Sequence, residues 1–303
     1  MKLFKQPPLA MSGLILAQLA LGQLLIPFLP FLSLLIAYLG LLEFIYLTVF
    51  IVSHPKTLAR QLEKALPASI FSTYFMSSLL LAVNFQSWNL TVAPYFWWFG
   101  TIGHILHLLY FTGKFVFRFN WDNVYPSWTV LFIGLSLSAL TSGITNQVQL
   151  GMAIFWFCLC LSLPLFILIV YKLRQFGIDQ VAQPNLATLC APLSLLLATY
   201  QTISPSRNLV LSLILLVVSQ SLYFYILRKI PNLFHQSFHP GFSALTFPLV
   251  ISARALFITC SNLGLNQIVW QSLIYLEVAI ASFIVIYVTI GYIGLFRTPF
   301  SNG

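Results

Sequence analysis

Ionisable side chains inside apolar stretches are the residues with which this sequence could do chemistry. Five of them interrupt apolar runs of the 303-residue chain: Glu43, His104, His107, Arg254 and Glu277. In a hydrocarbon environment such a group costs about 2.5 to 3.5 kcal/mol on insertion scales, so each predicts a functional role by default. Arg254 is the most informative of the five, because a guanidinium stays charged and attracts anions.

Arg254 has two interpretations. It lies 11 residues before Leu265, near a predicted turn, and Glu277 lies 12 residues after it. The two charges would therefore sit at similar depth on antiparallel helices, where they could form a buried ion pair. Alternatively, Arg254 faces a pore and serves as an anion contact. The sequence leaves both alternatives open.

The two histidines are three residues apart and share one face of a predicted helix. They could relay protons, but no neighbouring Asp, Glu or Cys completes a metal site, so we expect no metal and no cofactor. Hydrogen-bonded packing of His104 and His107 is the simpler interpretation, and proton coupling is the alternative. Glu43 is expected on an outer helix, as a packing or interfacial group.

The composition indicates an all-α integral membrane protein. Hydrophobic residues make up 59% of the chain and charged residues 6%, whereas a soluble domain carries about a quarter charged residues. The mean hydropathy is +0.93. No polar block is long enough for a second domain, so residues 1–303 are predicted to form a single transmembrane domain. The net charge of +9 is spread over short loops, which argues against a nucleic-acid partner and for contact with a lipid bilayer.

Ten apolar segments are long enough to cross a bilayer core about 30 Å thick, which needs about 20 residues per helix. They span residues 8 to 25, 27 to 52, 66 to 84, 91 to 113, 126 to 143, 150 to 171, 186 to 203, 208 to 228, 241 to 263 and 267 to 291. The sequence therefore predicts ten transmembrane helices.

The basic residues predict the orientation, because Lys and Arg are enriched in cytoplasmic loops. Of the 14 basic residues, twelve fall on one side of the predicted segments, only Arg207 falls on the other, and Arg254 lies inside the ninth segment. The twelve are Lys2, Lys5, Lys56, Arg60, Lys64, Lys114, Arg118, Lys172, Arg174, Arg228, Lys229 and Arg297. Both termini are predicted to be cytoplasmic, in a multi-pass protein of the cytoplasmic membrane. The first segment also resembles a cleavable signal peptide, which would leave nine spans.

Prolines recur near the start of each odd-numbered segment, at Pro8, Pro67, Pro126, Pro192 and Pro248. Their separations of 59, 59, 66 and 56 residues each match one helical hairpin, and such repetition indicates a repeated structural unit. We expect five hairpins whose odd helices, bent by these prolines, form an inner ring around a central path.

Four short motifs, in this order and spacing, resemble the tellurite-resistance/dicarboxylate transporter family. They are Gly100-Thr101-Ile102-Gly103, Pro126-Ser127-Trp128, Ala191-Pro192 and Thr246-Phe247-Pro248. The family includes the bacterial tellurite-resistance protein TehA, fungal malate transporters and the plant slow anion channels. The resemblance covers essentially the whole chain.

This resemblance implies a quasi-fivefold ring of hairpins with odd helices lining a pore, and a homotrimer with one pore in each subunit. It also implies a phenylalanine gate on the ninth helix, for which the matching position is Phe247. Arg254 follows seven residues later, on nearly the same helix face and about 10 Å further along. The expected substrates are small anions: C4-dicarboxylates such as malate, or chloride, nitrate, sulfite or tellurite.

Two other functions remain as alternatives. A proton-coupled anion exporter would use Glu43, His104 or Glu277 as its proton carrier. A membrane-embedded enzyme would need a nucleophile with a base, or a metal with at least three ligands. No segment offers either set, so we expect no enzyme activity.

Overall fold

The computed structural model describes residues 6–297, and all regular elements in that range are helical. The α-helices are α1 (Met11–Leu25), α2 (Pro30–Ser53), α3 (Pro55–Leu62), α4 (Ala65–Ser87), α5 (Ala93–Phe111), α6 (Trp128–Ile133), α7 (Ser136–Leu140), α8 (Val148–Phe176), α9 (Ala191–Ile203), α10 (Leu209–Leu227), α11 (Ile230–Leu233), α12 (Thr246–Asn262) and α13 (Ile268–Arg297). Segments of 3-10 helix at Gln180–Leu189 and Pro240–Leu245 lead into α9 and α12. The all-α fold class is confirmed.

Each of the ten predicted segments contains helix. Seven helices in the described range are long and apolar enough to cross a membrane. The seven include α2, α4, α8, α10 and α13, together with α9 and α12 when their 3-10 segments are added. Shorter apolar helices occupy Met11–Leu25 and Trp128–Leu140. For α1, α5 and the α6–α7 pair, a crossing of the membrane stays a prediction.

The odd-numbered segments lie inside the molecule and the even-numbered ones outside. In α4 and the helices ending in α9 and α12, 72%, 78% and 78% of the apolar window is buried, against 33% to 39% in α2, α8, α10 and α13. All residues of α1 are buried. We call α1, α4, α6, α7, α9 and α12 the inner helices, and α2, α5, α8, α10 and α13 the outer helices. Lipid accepts the apolar outer surface, because hydrocarbon tails are as apolar as the side chains.

Hydrogen bonds join each inner helix to the next and close the ring. They connect Ser12 with Thr73 (2.6 Å), Ser69 with Ser127 (2.6 Å), Ser136 with Thr199 (2.9 Å), Asn262 with Gln201 (3.1 Å) and Thr246 with the carbonyl oxygen of Gly13 (3.4 Å). These bonds run from α1 through α4, α6–α7, α9 and α12 back to α1. Small hydroxyl side chains allow such close approach between membrane helices.

The repeated prolines begin the inner helices and do not interrupt them. Pro8 and Pro126 precede α1 and α6, and Pro67, Pro192 and Pro248 fall in the first turns of α4, α9 and α12. That they also kink the inner segments stays a prediction. A proline is well suited to a first turn, because the N–H that it lacks would have no partner within the helix there.

The fifth segment is the inner helix that is broken. Its helix α6 ends at Ile133 and α7 begins at Ser136, with Gly134 between them. A Cβ added to Gly134 would collide with the carbonyl oxygen of Val130. Glycine therefore permits this local distortion, and partners outside α6 must satisfy the carbonyl groups that it frees.

Two glycines bring the outer helix α5 close to the inner helix α4. A Cβ on Gly100 would stand 2.8 Å from the carbonyl oxygen of Phe75, and one on Gly103 would collide with the Phe75 ring. These are the first and last residues of the Gly-Thr-Ile-Gly motif. The motif therefore has a packing role at the interface of the second hairpin.

Adding one methyl group at this interface should destabilise the protein. We expect Gly100→Ala to cost about 1 to 3 kcal/mol, because the tightly packed backbone of α4 would have to move. The matched control is Gly113→Ala, since nothing lies within 4 Å of a Cβ at that position. Thermal unfolding of the two purified variants measures the difference. Equal midpoints would contradict the packing role.

Candidate functional site

A cavity of about 190 Å³ lies between the inner helices. Each inner segment contributes one polar side chain to its wall: Gln23 from α1, Gln86 from α4, Thr141 after α7, Thr202 from α9 and Arg254 from α12. No outer helix supplies a lining residue in the part of the chain that is described. The cavity therefore lies on the axis of the ring.

Phe247 forms a wall of this cavity. Its side chain is 4% exposed, and it also lines a second, smaller cavity of about 30 Å³. Gly13, Thr73, Ser127 and Pro248 lie around the smaller cavity, near the starts of the inner helices. The Phe247 side chain thus borders both cavities, and its role as a gate stays a prediction.

Arg254 lines the larger cavity and is partly buried. No side chain or carbonyl within residues 6–297 accepts a hydrogen bond from its guanidinium. A guanidinium has five N–H donors and no acceptor. Its unused donors, held at a wall of the cavity, leave room for an anionic ligand.

The structure does not join Arg254 to Glu277. The carboxyl group of Glu277 on α13 is fully buried, and neither of its oxygens has a hydrogen-bond partner in the described chain. Of the two interpretations of Arg254, the hydrogen-bonded ion pair is therefore not formed, and the geometry favours exposure to the cavity.

The two histidines of α5 bind carbonyl groups of inner helices. His104 Nε2 lies 2.7 Å from the Leu131 carbonyl oxygen in α6, and His107 Nε2 lies 2.8 Å from that of Ala68 in α4. Because a carbonyl oxygen only accepts, each Nε2 carries the donated proton. Both side chains are buried and neither lines the central cavities. This geometry agrees with packing histidines, of which His104 supports the broken fifth segment and His107 supports α4.

Removing the His104 imidazole should destabilise the protein. We expect His104→Leu to cost about 1 to 3 kcal/mol, because the Leu131 carbonyl would be left buried without its donor. His235→Leu, at an exposed position, is the control. The midpoint of thermal unfolding tests the pair of variants, and an unchanged midpoint for His104→Leu would argue against the supporting role.

Glu43 belongs to a hydrogen-bonded group, centred on Gln18, that connects three helices away from the cavities. Its Oε1 accepts a hydrogen bond of 3.2 Å from Gln18 Nε2 on α1, which also lies 3.2 Å from Thr289 Oγ1 on α13. As expected, Glu43 stands on an outer helix, α2. Gln18, and not Glu43 itself, joins the first hairpin to the last.

Sequence reasoning identified Arg254 but missed the four other polar residues of the larger cavity. Gln23, Gln86, Thr141, Thr202 and Arg254 follow each other at intervals of 63, 55, 61 and 52 residues. These intervals are close to the proline repeat. A search for one polar residue in each odd segment at this period could have found them.

The arrangement defines a class of protein: a helical membrane protein with a ring of inner helices around an axial cavity. Among residues 6–297 there is no group of three or more His, Cys, Asp or Glu side chains that could hold a metal. The features that stand out are thus two cavities that share the Phe247 side chain and one guanidinium at the wall of the larger cavity.

A family model described as voltage-dependent anion channel (SLAC1) matches residues 8–293. The chain belongs to this family. No curated protein sequence matches the chain. Membership places it among multi-pass membrane proteins that conduct or transport anions, and agrees with the resemblance seen in the four motifs.

Proposed function

We propose that the chain forms a gated anion pathway along the axis of the inner ring, closed by Phe247. The observation that carries this proposal is the position of Phe247 between two cavities lined by inner helices. An apolar constriction excludes water and blocks ions until it moves. Conduction would therefore require displacement of the Phe247 ring.

The Arg254 side chain is the proposed anion contact. As a permanent cation at the wall of the larger cavity, it attracts anions and repels cations. The cavity of about 190 Å³ is large enough for chloride, nitrate, sulfite or tellurite, and for a C4-dicarboxylate such as malate. We infer no enzyme activity, because the cavities contain no nucleophile with a base.

Flux measurements in proteoliposomes test this function. Purified protein is reconstituted, and the movement of chloride, nitrate, sulfite and malate is followed in the native chain and in Phe247→Ala. Passage of at least one of these anions is expected. Failure of all four anions in both proteins would overturn the proposal.

A proton-coupled exporter is the second candidate, and the buried carboxyl groups of Glu43 and Glu277 favour it. His104 is a weaker carrier, because its Nε2 proton is donated to Leu131. Coupling predicts that an imposed pH gradient drives anion flux. Flux that ignores the gradient would leave the passive pathway as the function.

The remaining proposals concern assembly and orientation. The family resemblance supports a homotrimer with one pore in each subunit. The distribution of basic residues supports cytoplasmic termini in the cytoplasmic membrane, although Lys2 and Lys5 lie outside the described residues. By this orientation, the larger cavity opens toward the outer side and the smaller one lies toward the cytoplasm.

A further inference from the structure

A second polar site lies between the outer helices, behind the helix that carries Phe247. Its central residue is Glu277 on α13, which is 0% exposed. Neither carboxyl oxygen has a hydrogen-bond partner in the described chain. Glu43 differs, because its Oε1 accepts a hydrogen bond from Gln18. Burying an ionised carboxylate with no partner is very costly, so the charge of Glu277 must be removed or compensated.

Gln220 on α10 is the counterpart of Glu277. Both polar atoms of its amide, Oε1 and Nε2, are buried and likewise lack partners. The amide lies beside the carboxyl group, but the two side chains are not hydrogen-bonded to each other. Helices α10 and α13 both pack against α12. The two side chains thus approach each other across the back of α12.

The other titratable groups that face the carboxyl are neutral. They are the Tyr223 hydroxyl of α10, the Cys190 thiol that precedes α9 and the Cys260 thiol of α12. The Tyr223 hydroxyl is itself without a partner. The nearest basic residue in sequence on α12, Arg254, lines the central cavity instead. No cation among the described residues is placed to compensate a charge on Glu277.

Simple chemistry accounts for the four unpartnered atoms of Glu277 and Gln220. A carboxylate has only acceptors, so it could take one bond from the amide N–H and would repel the amide oxygen. A carboxylic acid has one O–H donor and one carbonyl acceptor. It can donate to Gln220 Oε1 and accept from Gln220 Nε2, which gives two hydrogen bonds and satisfies all four atoms.

We propose that Glu277 and Gln220 form a proton-binding site. The Glu277 carboxylate takes a proton from a hydronium ion: an O–H bond of hydronium breaks and leaves water, an O–H bond forms on one carboxyl oxygen, and the acid pairs with the Gln220 amide. The bound proton thereby ties α10 to α13 behind α12. The site is separate from the anion pathway, and its occupancy is measured without any anion flux.

Infrared spectroscopy of the purified full-length chain in lipid tests the site directly. A protonated carboxyl group gives a C=O stretch at higher frequency than carboxylate and amide bands. We expect this band at neutral pH in the native protein, and we expect Glu277→Gln to remove one component of it. Glu43→Gln, which neutralises the other buried acid, must retain that component. Glu277→Gln should fold, because two amides can form the same pair of hydrogen bonds.

A second variant tests the site even if Glu277→Gln does not fold. Gln220→Leu leaves the acid in place but removes the N–H bound to its carbonyl, so the Glu277 band should move to higher frequency. An acid band that is identical in the native protein and Glu277→Gln would overturn the proposal. So would an unshifted band in Gln220→Leu. A carboxylate band that responds to sodium or potassium would also overturn it, by identifying a metal cation as the ligand.

Discussion

Phe247→Ala is expected to raise anion flux in proteoliposomes by about tenfold or more, the change that corresponds to removing about 1.4 kcal/mol from a barrier. The Phe247 side chain lines both axial cavities. Alanine would join them into one path that water can fill, and hydration removes the apolar barrier to ions. Chloride efflux followed with an ion-selective electrode measures the effect.

The matched control for this variant is Phe257→Ala on the same helix. Phe257 packs edge-on against Phe28, with ring centroids 5.6 Å apart, and it lines neither central cavity. Its truncation removes the same number of atoms from α12 without opening the axis. Equal flux from Phe247→Ala and Phe257→Ala would mean that general loosening of α12, and not a gate, controls permeation.

Removing the charge of Arg254 has the second large expected effect. In the open Phe247→Ala background, Arg254→Gln should raise the chloride concentration for half-maximal flux by about tenfold or more. At an effective dielectric constant of about 20, two opposite unit charges 4 Å apart attract by about 4 kcal/mol. Even a partial loss of this attraction is therefore enough for a change of about tenfold in chloride affinity. Arg254→Lys keeps the charge and should stay near the Phe247→Ala value.

Arg207→Gln is the control for charge in general. Arg207 is exposed on the predicted outer side, where its Nε donates to the Gln201 carbonyl oxygen at 3.0 Å, and it lies outside the wall of the larger cavity. Its effect should be small and should fade in high salt, since exposed charges are screened. If Arg207→Gln and Arg254→Gln weaken chloride affinity equally, Arg254 is not a specific anion contact.

The ring of hairpins could be predicted because the arrangement of helices in this chain follows from the lengths of its apolar runs and the spacing of its prolines. Apolar runs of bilayer length must become helices, since lipid offers no partner for backbone groups. The period of the prolines predicted five hairpins and indicated which helices are inner and which are outer. That the prolines also bend these segments stays a prediction, because the same residue type serves both in a kink and in a first turn.

The details of the site depended on which face of each helix turns inward, and the sequence carries little signal for this. The inner helices are buried on nearly all sides, so no amphipathic stripe marks the cavity. Gln23 and Gln86 look like ordinary polar residues near helix ends until the fold brings them to one axis. The unpaired state of Glu277 was also hidden, because its spacing from Arg254 allows an ion pair that the side chains do not form.

The reversal potential of Phe247→Ala in a planar bilayer under a potassium chloride gradient tests the central claim most directly. A pathway through the inner ring, with Arg254 at its wall, predicts a potential close to the equilibrium value for chloride. Phe257→Ala, measured in the same way, should show little current. A Phe247→Ala potential near the potassium equilibrium value, or no current above that of protein-free bilayers, would contradict an anion pathway gated by Phe247.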